Sequence, residues 1–291
     1  MTWINMTVPA PSENTVRCMT WNLLLGGLDD GNSDRLLDQL TLISAYAPDV
    51  LCLPEAARWH EQDDRLLHLA EDATGLKTAM LARSATGQGV NATALMFNSE
   101  KVRLVGEPVR RAEEAFHHAL IRAVFRPAGV ADEGGDFVVL ATHLNPFDPG
   151  ARLGEARWMT DYAGQSPKFP PRAVLLGDLN TPDREPVSWT AVPTNLHSRY
   201  RLVLNDGSFG AVDRRAVRAL LNSGWRDPHD LLGLPRQPTV GHFFPTERVP
   251  WALDYALVAG LDVRQVFTHP FSTGFTLSDH LPHFMDIALP A

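Results

Sequence analysis

Residues 174–182 read Val-Leu-Leu-Gly-Asp-Leu-Asn-Thr-Pro, with an anion and an amide two positions apart. An apolar run that ends in Gly predicts a buried strand stopping at a turn. On an extended chain, side chains two apart share a face. Asp178 and Asn180 should therefore project together from the strand's end. A carboxylate beside a neutral donor and acceptor suits holding a water or a metal ion next to a phosphate. Taken alone, Asp-x-Asn is also what a capped turn looks like.

Similar polar residues end other apolar runs. Asn22 follows Met19-Thr-Trp, Glu55 follows Val50-Leu-Cys-Leu-Pro, and His143 follows Phe137-Val-Val-Leu-Ala-Thr. Asp254 opens the run Asp254-Tyr-Ala-Leu-Val258, and Ser278-Asp279-His280-Leu-Pro282 precedes a last strand at 284–289. Carboxylates, amides and imidazoles gathered at one edge of a sheet core could hold a metal ion, activate water and donate to developing negative charge.

The elements that must carry these residues alternate irregularly. Strands are expected near 16–21, 50–53, 77–82, 91–97, 102–106, 119–126, 137–142, 173–176, 254–258, 262–268 and 284–289. A helix capped by Ser33 carries Leu36, Leu37, Leu40 and Ile43 at helical spacing, and further helices fit 61–73, 151–163 and 211–222. Residues 183–210 have weak periodicity, and 227–250 read as a Pro-rich loop. Many strands with helices between groups of them predict an α/β fold of two packed sheets covered by helices.

The chain has 291 residues and 44% hydrophobic content, enough for one large domain. The polar strand ends span 22 to 280, so a split would divide one constellation; residues 15–291 are expected to form a single domain behind a loose arm at 1–14. The formal net charge of −8 argues against tight bulk binding to nucleic acid, which calls for a basic face. Arg110-Arg111 and the group Arg214, Arg215 and Arg218 read as solvated faces, and His117-His118 as surface. Cys18 and Cys52 sit in apolar strands and read as buried free thiols, with a bridge open if the strands are neighbours. The first nine residues lack the pattern of a signal peptide, and no stretch approaches a membrane-spanning length, so a cytoplasmic location is expected.

The order Trp-Asn, Leu-Cys-Leu-x-Glu, Thr-His-Leu, Gly-Asp-Leu-Asn, Leu-Asp-Tyr and Ser-Asp-His-Leu-Pro resembles the endonuclease/exonuclease/phosphatase superfamily. That resemblance covers nearly the whole chain. It implies a four-layer α/β sandwich of two mixed sheets flanked by helices, and Mg²⁺-dependent phosphoester hydrolysis with Mn²⁺ as a substitute. It implies that Glu55 is the principal metal ligand, with Asn22 and Asp279 beside the ion. It implies that Asp178 orients the attacking water and Asn180 holds that water or a phosphate oxygen. His143 and His280 would donate to phosphoryl oxygens, with Asp254 fixing His280. The chain departs from the family pattern at Leu24, where many family nucleases carry an acid, and at Pro54, where Gln is common.

Branch signals conflict. Trp251-Ala-Leu-Asp-Tyr resembles the AP endonuclease form, whereas Thr142-His143-Leu resembles the deoxyribonuclease, sphingomyelinase and phosphatase branches. The loop 237–250 should wall the cleft, with Phe243 and Phe244 beside Trp251 as substrate contacts. Three readings stand: a hydrolase of small or nucleotide-like phosphoesters, favoured by the acidic charge; a nuclease; and a binding module, which has no physical need for all eight site residues.

Overall fold

In the computed structural model, residues 8–164 and 166–288 are described. The first half holds β1 (Thr15–Thr20), α1 (Asp34–Tyr46), β2 (Val50–Leu53), α2 (Arg65–Thr74), β3 (Lys77–Arg83), β4 (Ala92–Phe97), β5 (Val102–Leu104), β6 (Val109–Arg111), β7 (Ala119–Pro127) and β8 (Phe137–His143). The second holds α3 (Pro149–Arg157), β9 (Ala173–Asp178), α4 (Thr194–Tyr200), β10 (Arg201–Val203), β11 (Phe209–Val212), α5 (Arg215–Asn222), α6 (Pro228–Leu232), β12 (Asp254–Ala259), β13 (Val263–Thr268) and β14 (His283–Ala288).

Two mixed sheets form the centre. One runs β13-β14-β1-β2-β4-β3, and the other β12-β9-β8-β7-β5, with β6 also on β7. Each has a parallel pair at its heart, β1/β2 and β8/β9, flanked by an antiparallel strand, β14 or β12. Alternate residues of each strand serve two cores. Val16, Cys18, Val139, Ala141 and Leu176 fill the space between the sheets. Met19 and Leu51 face α1 and α2, while Leu140 and Leu175 face α3 and α5. With both faces covered, these strands read as unbroken apolar runs. The four-layer sandwich is the expected fold.

Several boundaries differ from the sequence reading. The helix expected at 61–73 starts only at 65, because Gln62, Asp63 and Asp64 adopt left-handed φ of 53°, 54° and 58°. The helix expected at 151–163 is α3 plus a separate 3₁₀ turn, Thr160–Tyr162. At 211–222, Val212 belongs to β11 and pairs with Arg201, and only 215–222 is helical. The Pro-rich loop contains α6, capped by the Asp227 side chain accepting from the His229 amide with Pro228 in the first turn. Ser33 makes no side-chain cap; Asn32 Oδ1 takes the Asp34 amide instead.

Residues 1–7 of the expected loose arm, and residue 289 of the last expected strand, lie outside the described residues. Residues 8–14 are held rather than loose. The Ser12 amide and the buried Arg17 guanidinium both reach Asp286, and Arg17 also donates to the Pro9 carbonyl. Cys18 and Cys52 are buried and free; their strands are neighbours, but Cys18 pairs with Val50 and Cys52 with Thr20.

Candidate active site

The cross-strand register assembles half of the site. Asp254 of β12 lies directly opposite Asp178 of β9, and Asp178 is abreast of His143 of β8. Two carboxylates opposite each other repel. The arrangement persists because an imidazole sits between them: His280 Nδ1 is 2.7 Å from Asp254 Oδ2, and its Nε2 is 3.7 Å from Asp178 Oδ2. His143 Nε2 approaches the same Asp178 oxygen to 3.4 Å. Asn180, two residues beyond, has φ 48°, a left-handed turn that lets its amide reach the Leu144 carbonyl at 3.0 Å while its N–H donates to Asp178 Oδ1 at 2.8 Å.

The other sheet supplies the rest. Asn22 and Glu55 follow the parallel strands β1 and β2, and Asp279 and His280 precede β14. Asn22 Nδ2 lies 3.2 Å from both Glu55 Oε1 and Asp178 Oδ2, and so ties the two sheets together. Its Oδ1 accepts from the Leu24 amide. Glu55 also has left-handed φ, 58°, and its Oε2 accepts from the Leu25 amide. Non-Gly residues held there store strain, which concentrates at working sites.

Burial sets the protonation states. His143 is pushed down to about 3 by burial and then by His280, so it is neutral at pH 7. Burial also opposes charge on His280, but Asp254 and Asp178 outweigh it and hold the imidazole well above its ordinary value. Asp178 is raised by burial and by Asp254, against the lowering effect of His280 and of the Asn180 and Asn22 donors.

Ligand atoms of Asp178, Asp254 and His280 lie within 4.8 Å of one another, close enough to hold a metal ion. The three are already joined to one another, His280 Nδ1 to Asp254 Oδ2 at 2.7 Å with Nε2 turned toward Asp178, which is the arrangement of a proton network. Glu55 and Asp279 are half-buried carboxylates facing the cleft, and their hard oxygen donors fit a divalent ion of the Mg²⁺ type. Asn22 sits beside that position as a bridge between carboxylates.

Glu55, His143, Asp178, Asn180, Asp279 and His280 line a cleft of about 410 Å³. Its walls bring in Trp251, Phe243 and Phe244 as the sequence anticipated. Trp251 is almost fully buried, packed against Trp189 and Tyr200, and its indole nitrogen has no partner among the described residues. Phe147 and Arg199 complete the rim, the guanidinium 4.9 Å from the ring centroid. Buried Arg152 donates to the carbonyls of Asn145 and Arg199, joining the loops that carry them. His118 is the residue sequence reading missed. Far from lying on the surface, it is 7% exposed, lines the cleft and stacks on His143. Its place directly before β7, whose Ala119 pairs with His143, is the signal that register alone could reveal.

A family model described as "Endonuclease/Exonuclease/phosphatase family" matches residues 19–280, which include every one of these site residues. The chain belongs to this family. It is therefore a phosphoric ester hydrolase by family. A search of curated proteins by sequence found no match. Among solved structures, the catalytic domain of human Nocturnin with bound sulfate is similar at 18% identity and TM-score 0.64, covering 97% of each chain. ANGEL2, a 2′,3′-cyclic phosphatase bound to adenosine-2′,3′-vanadate, aligns at 17% identity and TM-score 0.58 over 97% of this chain and 99% of its own. D. rerio TDP2, complexed with single strand DNA product, aligns at 14% identity and TM-score 0.60 over 94% and 99%. These three structures share the fold and hold different ligands: sulfate, adenosine-2′,3′-vanadate and a single strand DNA product. No helix of the described residues is long and apolar enough to cross a membrane.

Proposed function

We propose that residues 15–291 act as one Mg²⁺-dependent catalytic domain that hydrolyses a small or nucleotide-like phosphomonoester or phosphodiester. The observation that carries this reading is the meeting of two imidazoles of opposite protonation bias on one carboxylate, Asp178, across from Glu55 and Asp279. Asp178 orients a water for in-line attack and accepts its proton; a carboxylate raised toward neutrality suits that task. Asn180 holds the water or a phosphate oxygen. His280, charged and fixed by Asp254, and His143 donate to phosphoryl oxygens as charge builds. Glu55 and Asp279, with Asn22 at their side, would hold the ion. When bound, the ion supplies Lewis-acid neutralisation of the phosphoryl group.

Charge favours a small substrate. The described residues lining the cleft include Glu55, Asp178, Glu247 and Asp279 but a single guanidinium, Arg199. A long polyanion calls for a track of cations along its backbone. A nuclease is the second reading, favoured by Phe147 and Phe244, which are 54% and 39% exposed at the rim and could stack bases.

The test is hydrolysis of a matched panel with Mg²⁺ or Mn²⁺, with and without EDTA, beside Asp178→Ala. The panel holds phosphomonoesters, bis-p-nitrophenyl phosphate, nucleoside 2′,3′-cyclic phosphates, single-stranded RNA, duplex DNA and abasic-site DNA. Metal-dependent turnover of small esters, lost in Asp178→Ala, supports the proposal. Turnover confined to polymers moves the chain to the nuclease reading. Full activity in Asp178→Ala overturns the assignment of the site.

A further inference from the structure

The cleft wall carries a third imidazole with no role in the reaction described so far. His118 lies face to face with His143, ring centroids 4.0 Å apart and planes 11° from parallel. Its Nδ1 is 2.7 Å from the buried Ser84 hydroxyl. Its Nε2 is shut off from solvent and has no partner among the described residues. An orphaned polar atom in a close-packed wall is costly unless a ligand satisfies it. With Nδ1 tied back to Ser84, the Nε2 edge is the polar edge that His118 has left to offer. Both His118 and Glu55 line the cleft.

The segment is braced from several sides. The Ala85 amide donates to the His118 carbonyl, and the Thr86 amide and hydroxyl donate to the His117 carbonyl. The His117 amide donates to Glu155. The imidazole is therefore positioned before substrate arrives, which is what a donor to developing charge requires. Burial and the neighbouring imidazoles keep His118 neutral, so it offers one N–H and not a cation.

We propose that His118 is a further catalytic residue, whose Nε2–H donates to a phosphoryl oxygen beside His143 while the Ser84 hydroxyl donates to Nδ1 and fixes that tautomer. The inference rests on the phosphoester hydrolase reading above. His118 gives up no proton and forms no covalent bond; it contributes a hydrogen bond that strengthens as charge builds on the phosphoryl group.

The test compares His118→Phe, His118→Gln and Ser84→Ala with the wild type on the best small ester of the panel. Phe keeps a flat ring over His143 but has no N–H, and Gln restores a side-chain N–H. His118→Phe should lower kcat by about 10- to 100-fold with KM within about twofold, the scale of one lost donor. His118→Gln should recover part of that loss, and Ser84→Ala, which removes only a hydroxyl, should cost about 3- to 10-fold by freeing the tautomer. Wild-type kcat in His118→Phe overturns the proposal, as does His118→Gln being no better than His118→Phe. A measurement free of folding and turnover accompanies these. The ring ¹⁵N spectrum of wild-type His118 should show the Nε2–H tautomer and shift on adding orthovanadate; the Nδ1–H tautomer overturns the proposal. Absence of wild-type turnover on every substrate defeats the hydrolase reading instead, and is read before any variant is made.

Discussion

Asp254 and His280, 26 residues apart in sequence, meet at 2.7 Å between Oδ2 and Nδ1. The carboxylate is fully buried, and the imidazole nearly so. This contact fixes the ring's orientation, with Nδ1–H on Asp254 and Nε2 turned toward Asp178. Asp254→Asn keeps the shape but removes the charge that sustains the imidazolium. The expected loss in kcat is about 10²–10⁴-fold, the range for an acid–base group. Steady-state kinetics on the small ester give the answer, and a loss under about threefold would remove Asp254 from the machinery.

Metal removal should silence the enzyme reversibly. EDTA is expected to abolish turnover, with Mg²⁺ restoring it and Mn²⁺ substituting. Glu55→Gln, which keeps an acceptor for the Leu25 amide but removes the charge, should raise the Mg²⁺ concentration for half-maximal rate about 10- to 100-fold. An unchanged metal titration in Glu55→Gln would show that the ion is held elsewhere.

Gly177 is required by its neighbour strand. A Cβ at this position would lie 2.0 Å from the Thr142 carbonyl oxygen, which is backbone and cannot yield without breaking the β8/β9 pairing. Gly177→Ala should destabilise by about 4 kcal/mol or more, among the large values that overpacking produces. Urea unfolding, or failure to recover soluble protein, measures it.

Glu155 should make stability depend on pH. It is almost fully buried and accepts from the His117 and Asn145 amides, at 2.7 and 2.8 Å, so it joins the segment before β7 to the loop after β8. Burial outweighs those donors and Arg152, and raises its carboxyl from 4.5 to about 7. The folded state therefore holds the proton more tightly than the unfolded chain does. The stability this contributes is full below about pH 4.5 and is lost as pH rises through about 7, a change on the order of a few kcal/mol. Glu155→Gln has no such proton. Wild-type stability should fall relative to Glu155→Gln between those limits in urea titrations at stepped pH, and a constant gap would contradict the assignment.

How much of this was legible in the sequence varies from residue to residue. Asn22, Glu55, His143, Asp178, Asn180, Asp254, Asp279 and His280 stood out because each ends or opens an apolar run, and a strand buried on both faces leaves polar side chains only at its mouth. A core of two sheets covered by helices followed from the same runs, and the family resemblance implied its four layers. Local backbone signals failed where apolar spacing alone does not set the backbone conformation. The left-handed turn at 62–64 and the placement of Val212 in β11 are examples. Residue type and strand-end position were enough to pick out the chemical groups of the candidate site. Tertiary structure decided their neighbours: that Asp254 faces Asp178, that Asn22 bridges the two sheets, and that His118 stacks under His143. The physical reason is that chemical type is a property of one residue. Register and sheet packing are properties of pairs brought together across tens or hundreds of positions, and only the folded chain sets their distances.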